Sequence, residues 1–255
     1  MHNKIIIEKI RDFLEKERKH GKLLVFYRSD SNHTAFLDNF EIKVELNKFK
    51  EIILEEETGI ELGGMKKKSF SIIFPIEDAQ LIDTGKISLL GPEIDKCLDK
   101  NIDFGMMILI GVENSTEKDI NELRQLSFIS NGIEGFSIRT IPRRFWCRLS
   151  TSTLQKGFSF EFLGNAIISL YKQKFKSLVK TIEVILISSY PDSIENFITL
   201  SSEITDRFKE KWRKKIEEWK KRIDCDYDWG CEICPYQEEC LDIKQVLVLR
   251  EEIEK

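Results

Sequence analysis

Hydrophobic positions fall into two periods along this chain, and the switch between them divides it. Over residues 3–20 the period is helical: Ile6, Ile10, Phe13, Leu14 and Glu17 share one face, and Gly21 stops the run. Leu23 to Tyr27 then reads as a short strand. Asn47 is placed to cap a helix over Lys48–Glu57, with Phe49, Ile52 and Ile53 on one side and the acidic run Glu55–Glu57 leading to Gly59. Glu61-Leu-Gly-Gly64 reads as a turn ahead of the basic trio Lys66–Lys68.

From Ser69 the texture becomes strands alternating with helices. Ser71–Phe74, Lys86–Leu90, Phe104–Val112, Phe145–Leu149 and Ile182–Ser188 are short runs rich in Ile, Val, Phe and Leu, which suits strands. Between them Glu117–Ile129 and Phe160–Phe175 carry helical periodicity, and Thr116 with Asp119 forms a helix-start signature. After Pro191-Asp192 a long helical stretch is expected to about Arg222, where Phe208, Trp212, Ile216, Trp219 and Ile223 draw one stripe. The expected fold class is α/β: a mixed sheet flanked by helices, with an N-terminal helical segment and a C-terminal helix ending in a cysteine-rich metal knuckle. The expected division is an N-terminal α+β segment over 1–60, a mixed α/β middle domain over 61–190, and a helical region with the metal site over 191–255.

Composition narrows the partners. A net charge of −4 does not suit phosphate neutralisation, so nucleic acid is not an expected partner. The basic side chains around the second half of the long helix, Arg207 to Arg222, read either as a solvated face or as a surface for an acidic partner. No window is long and apolar enough for a membrane span, and the run Ile5-Ile6-Ile7 is cut at once by charge, so the expected location is the cytoplasm.

In such a reducing compartment clustered thiols bind metal more readily than they form disulfides. Four of the six cysteines, Cys225, Cys231, Cys234 and Cys240, lie within sixteen residues. The Cys231-x-x-Cys234 pair lets two thiolates reach one metal centre from a single turn, and Cys225 and Cys240 flank it, each across five intervening residues. No histidine is near. The spacing alone fits either a 4Fe-4S cubane or zinc. Cys97 and Cys147 stand apart and read as buried small hydrophobes.

A series of short segments resembles one family, in order along the chain. They are Glu61-Leu-Gly-Gly64; Asp83-Thr-Gly-Lys-Ile87 running to Gly91-Pro-Glu-Ile-Asp95; Phe128-Ile129; Glu134-Gly135; Trp146-Cys-Arg-Leu-Ser150; Lys156-Gly-Phe-Ser-Phe160 with Gly164; and Trp229-Gly-Cys-Glu-Ile-Cys234. Over about residues 41–240 the chain resembles the CO-methylating acetyl-CoA synthase, the β subunit of the carbon monoxide dehydrogenase/acetyl-CoA synthase complex, in its middle domain and the start of its cluster domain. The resemblance implies that Cys231 and Cys234 are ligands of a 4Fe-4S cluster; Cys240 and Cys225 are expected to complete the set by their closeness in the chain, not by the family pattern.

The departures shape the expected function. The family's third and fourth cluster cysteines lie farther downstream than Cys240, and Val248–Glu252 occupies the place of the last. Through Lys255 no counterpart of the family's later Cys-Gly-Cys nickel segment appears, so this chain alone is not expected to make acetyl-CoA. The family's tryptophan and arginine associated with coenzyme A fall at Ser137 and Pro142; Arg139, Arg143, Arg144 and Arg148 are the candidate replacements for that charge. The resemblance thus implies an iron–sulfur protein with an accessory, electron-transfer or docking role in anaerobic one-carbon or acyl metabolism. It would partner a larger enzyme complex and hold an acyl thioester or coenzyme A. The other readings are an enzyme binding substrate at an open cluster iron, and a zinc-stapled interaction module.

Overall fold

A computed structural model describes residues 2–29, 53–64, 67–113, 115–141 and 144–204. The chain divides into two compact units, Met1–Ser202 and Glu203–Lys255.

Helix α1 (His2–Lys19) buries Ile6, Ile10, Phe13 and Leu14 as its spacing predicts, and the chain turns at Gly21 into β1 (Leu24–Arg28). A five-stranded sheet follows the order β1, β4 (Lys86–Leu90), β9 (Val179–Ser188), β6 (Phe104–Val112), β3 (Ser69–Ile76). It is mixed: β4 runs parallel to β9 and β3 to β6, while β1–β4 and β6–β9 are antiparallel. Every residue of β6 is buried, which explains its uninterrupted apolar sequence, since a strand covered on both faces needs no polar alternation.

Beyond the short α4 (Thr151–Gln155), helix α5 (Phe160–Lys174) covers the face bearing Ile182, Val184 and Leu186. On the opposite face α1 packs, with Arg11 reaching the fully buried Glu183 through both guanidinium nitrogens. There α1 also meets α6 (residues 191–204), whose Phe197 ring stacks on Phe13 at 5.3 Å between centroids.

A second, four-stranded sheet has the order β5 (Asn101–Ile102), β2 (Thr58–Gly63), β8 (Arg144–Ser150), β7 (Phe136–Ile141). It too is mixed, with β2 parallel to β5 and antiparallel to β8, and β7 antiparallel to β8. Its inner residues Ile60, Leu62, Phe136, Phe145, Cys147 and Leu149 join the core beneath α5. Phe104 joins the two sheets, stacked on Phe145 at 6.0 Å and on Phe160 at 5.5 Å. The architecture is the mixed α/β class expected, realised as two mixed sheets rather than one.

Three local expectations change. The helix expected over Lys48–Glu57 does not include its second half: residues 55–57 are a turn, closed by Glu57 N–H to Leu54 C=O at 3.2 Å. Three successive carboxylates at a helix C-terminus oppose the dipole, and here they end in a turn instead. Lys48 to Ile52 lie outside the described residues. Glu61-Leu-Gly-Gly64 is not a turn but the end of β2, in which Ile60 and Leu62 face inward. The helix expected over Glu117–Ile129 is two, α2 (Glu117–Leu123) and α3 (Ser127–Gly132). Leu123, Leu126 and Ile129 are all buried at a spacing of three, which drifts about 60° per step on a straight helix, so the break brings all three inward. The start of α2 is as read: Thr116 and Asp119 form a reciprocal capping box. α6 begins at Pro191, close to the start expected after Pro191-Asp192; the rest of the helical stretch expected to Arg222, with the stripe from Phe208 to Ile223, lies outside the described residues.

Candidate functional site

Strand β8 alternates. Phe145, Cys147 and Leu149 are buried, while Trp146 and Arg148 turn to the outer face of the four-stranded sheet and stay partly exposed. Register sets their neighbours. Arg148 lies opposite Glu61 on β2 and Ser137 on β7, and Glu61 lies opposite Asn101 on β5. The next outward rung is Gly63, Trp146 and Arg139. Directly opposed residues in a ladder point to the same side, so these form one surface.

On that surface the charges are not equivalent. Arg148 donates from Nε to Glu61 Oε2 at 2.9 Å and from Nη1 to the Ile53 carbonyl at 3.4 Å. Arg139 is exposed and has no ion pair or hydrogen bond among the described residues. Arg144 opens β8 opposite Ile141, and Arg143 lies outside the described residues. Two of the four arginines named from sequence, Arg139 and Arg148, thus share a face, and one of these is committed to a carboxylate. The Asn101 Oδ1 atom is buried with no hydrogen-bond partner among the described residues.

Gly63 and Gly64 shape the same surface. Both have positive φ, +77° and +100°, which other residues rarely adopt. A Cβ on Gly63 would lie 2.6 Å from the Phe145 carbonyl oxygen, and one on Gly64 would lie 2.5 Å from Glu61 Oε1. These glycines let β2 close onto β8 and leave bare backbone beside Trp146.

A second junction was not foreseen. Glu93, in the loop after β4, accepts from the Phe160 N–H at 2.9 Å, the Glu161 N–H at 3.3 Å and the Tyr27 hydroxyl at 2.9 Å. Its carboxylate therefore sits at the positive end of α5, where Ser159 accepts from the Phe162 N–H. Two of the motif segments, Gly91–Asp95 and Lys156–Phe160, meet at this one group. Burial first, then the hydrogen bond to Glu93 and its negative charge, push the Tyr27 phenol well above its usual range. The sequence carried a partial signal in Ser159 as a helix cap; the partner 66 residues away from Tyr27 left none.

Cys147 is fully buried, as expected, and desolvation holds its thiol protonated. Cys97 departs from expectation: it is half-buried, closes a short 3-10 turn after Ile94–Lys96, and its thiol bonds to the Glu93 carbonyl at 3.3 Å. Its thiol is also raised, by burial above all. Cys225, Cys231, Cys234 and Cys240 lie outside the described residues. Among the described residues no group of three or more His, Cys, Asp or Glu gathers as a metal site. No described helix is long and apolar enough to cross a membrane.

Relatives place this arrangement. The chain is 27% identical over 163 residues to the acetyl-CoA decarbonylase/synthase complex subunit beta of Methanopyrus kandleri, covering 62% of this chain and 34% of that one. It is 26% identical over 178 residues to the subunit of the same name from Methanothermobacter thermautotrophicus, covering 69% and 36%. To the carbon monoxide dehydrogenase/acetyl-CoA synthase subunit alpha of Moorella thermoacetica it is 26% identical over 137 residues, 52% of this chain and 18% of that one. The chain thus spans about a third of the length of the β subunits it matches. The family model matches residues 41–192, more than half the chain, and takes in the four-stranded sheet with its Trp146–Arg139 face and every strand of the five-stranded sheet except β1. This chain belongs to the CO dehydrogenase/acetyl-CoA synthase complex beta subunit family.

Proposed function

We propose that this protein is an iron–sulfur member of its family that works beside a larger enzyme complex in anaerobic one-carbon or acyl metabolism. In this reading Cys231, Cys234, Cys240 and Cys225 hold a 4Fe-4S cluster. Arg139 and Arg148 on the outer face of the four-stranded sheet, together with Arg143 and Arg144 from the same stretch of sequence, receive coenzyme A or an acyl thioester. One observation carries the reading: a family-matched domain over 41–192 is followed by four thiols in sixteen residues. That donor set, all sulfur with no nearby imidazole, suits a cubane. Bound there, the cluster supplies one-electron transfer, and its role in the chain is accessory: electron transfer or docking. The relatives, each named as a subunit, support a protein partner.

Anaerobically prepared full-length protein should be brown and hold about four iron and four sulfide per chain. Cys231→Ser and Cys234→Ser should lose both, and Cys225→Ser should drive the cluster toward a three-iron form visible by electron paramagnetic resonance. Stoichiometric zinc without sulfide after anaerobic reconstitution would sink the iron–sulfur reading in favour of a zinc staple. A Cys225→Ser cluster identical to wild type leaves one iron open, which favours an enzyme that binds substrate there.

A further inference from the structure

We propose that α1, with Lys22 in the turn after it, is a strap: it holds α6 on one face of the five-stranded sheet, and the two helices open together while both sheets and α5 stay folded. The proposal goes beyond the cluster and coenzyme A readings and depends on neither, since it concerns which layer of the fold opens first.

The layer beneath the strap is separate from the main core. The buried cluster that joins the two sheets takes Ile182, Val184 and Leu186 from β9 and Met106, Ile108 and Ile110 from β6. Among the described residues it contains none of α1 or α6. The alternate positions, Glu183, Ile185 and Ile187 on β9 with Met107 and Leu109 on β6, point to the opposite face and are fully buried there. α6 lies over part of that face. Its Phe197 meets Phe70 of β3 edge-on at 5.7 Å, and a Cβ on Gly105 of β6 would lie 3.5 Å from Ile194 Cγ1. α1 reaches the same face farther along β9, through Arg11 on Glu183.

Two buried carboxylates act as keys. Glu183 on the sheet receives both terminal nitrogens of Arg11. Glu17 on α1, 1% exposed, accepts from Lys22 Nζ at 2.6 Å and from Ser193 and Asn196 of α6 at 2.5 and 3.2 Å. α6 therefore depends on α1 for its inner face: without α1, the fully buried Ser193 loses its acceptor and Phe197 loses the stack on Phe13. Charged hydrogen bonds and ring stacking hold only in one seating of α1, so they are lost as a set rather than by fraying. Elements outside the main core that share such a set open as one unit at lower free energy than the whole.

The test is native-state hydrogen exchange of the full chain. In wild type, the protected amides of α1 and of residues 191–204 should share one opening, at least about tenfold more frequent than that of the slowest amides in β6, β9 and α5. Two variants separate the layers. Glu17→Ala removes the shared acceptor and should speed α1 and residues 191–204 by one common factor, about ten- to a hundredfold. Glu17→Gln should speed the same two segments by less, and it serves if the alanine variant does not fold. Ile108→Val loosens only the main core, which stays intact when the strap opens. It should speed β6, β9 and α5 by about two- to tenfold and leave α1 and residues 191–204 at their wild-type rates. If Ile108→Val speeds every segment alike, the strap is part of one folding unit and the proposal falls. It falls equally if the Glu17 variants speed α1 but not residues 191–204, or neither.

Discussion

Single carboxylates do much of the joining in this fold. Glu93 ties β1 to the start of α5 through Tyr27 and two backbone N–H groups. A hydrogen bond to a charged group contributes about 1.5–3 kcal/mol, and the helix dipole adds to it. Glu93→Ala should therefore lower the unfolding free energy by about 2–4 kcal/mol, Glu93→Gln by less, and Tyr27→Phe by about 1–2 kcal/mol. Urea unfolding of the double variant should show coupling of at least about 0.5 kcal/mol; strictly additive losses would mean that the three partners are not one unit.

Glu17 gives a pH-dependent counterpart. Burial pushes its carboxyl up, but hydrogen bonds from Lys22, Ser193 and Asn196 and the Lys22 charge outweigh burial and leave it below the ordinary value of 4.5. A carboxyl that gives up its proton more readily in the folded state stabilises fully above the unfolded value and loses that contribution as pH falls through the folded one. Wild type should thus lose stability as pH falls below about 4.5, and Glu17→Gln should be weaker at neutral pH with a flatter acid limb. Parallel acid limbs for the two proteins would exclude the assignment.

At the scale of elements, β4 and β9 are locked where they end. Gly91 follows β4 with φ +126°, and a Cβ there would lie 2.1 Å from the Ser188 carbonyl oxygen at the end of β9. Gly91→Ala combines backbone strain of about 1–3 kcal/mol with a backbone collision that no rotamer relieves. It should cost more than about 3 kcal/mol in thermal or urea unfolding, and a variant as stable as wild type would show that the two strand ends separate freely.

The same scale shows what the sequence makes legible. β4 and β6 have the boundaries expected, and β3, β8, β9, α1 and α5 are where expected, because apolar runs buried on one or both faces announce themselves locally. β2 was hidden because its polar residue, Glu61, is balanced by Arg148 on β8, 87 positions away. β7 carries Phe136, Ser137, Ile138 and Arg139 in alternation, a strand signal too short and too polar to stand out beside the longer runs. The site follows the same logic. Composition and resemblance pick out the arginines one at a time, but only register reveals that Arg148 faces Glu61 while Arg139 faces Trp146.

On the scale of the molecule, the buried cluster that holds the two sheets together runs from Ile60 to Leu186, entirely within the unit Met1–Ser202. The family match over 41–192 lies in the same unit, and the four clustered thiols lie in Glu203–Lys255. Cooperative unfolding follows a shared core, and among the described residues this one draws on the unit Met1–Ser202 alone. The α/β unit should therefore fold without metal. Residues 1–202 expressed alone should melt in a single cooperative transition within a few degrees of the main transition of the full chain. They should retain no iron. Stripping metal from the full chain with a chelator should leave that main transition in place while abolishing the cluster's colour. If chelation instead melts the whole chain in one step, or if 1–202 fails to unfold cooperatively, the thiol segment is part of the folding unit, and the sheet face and the metal centre would have to be treated as a single thermodynamic body.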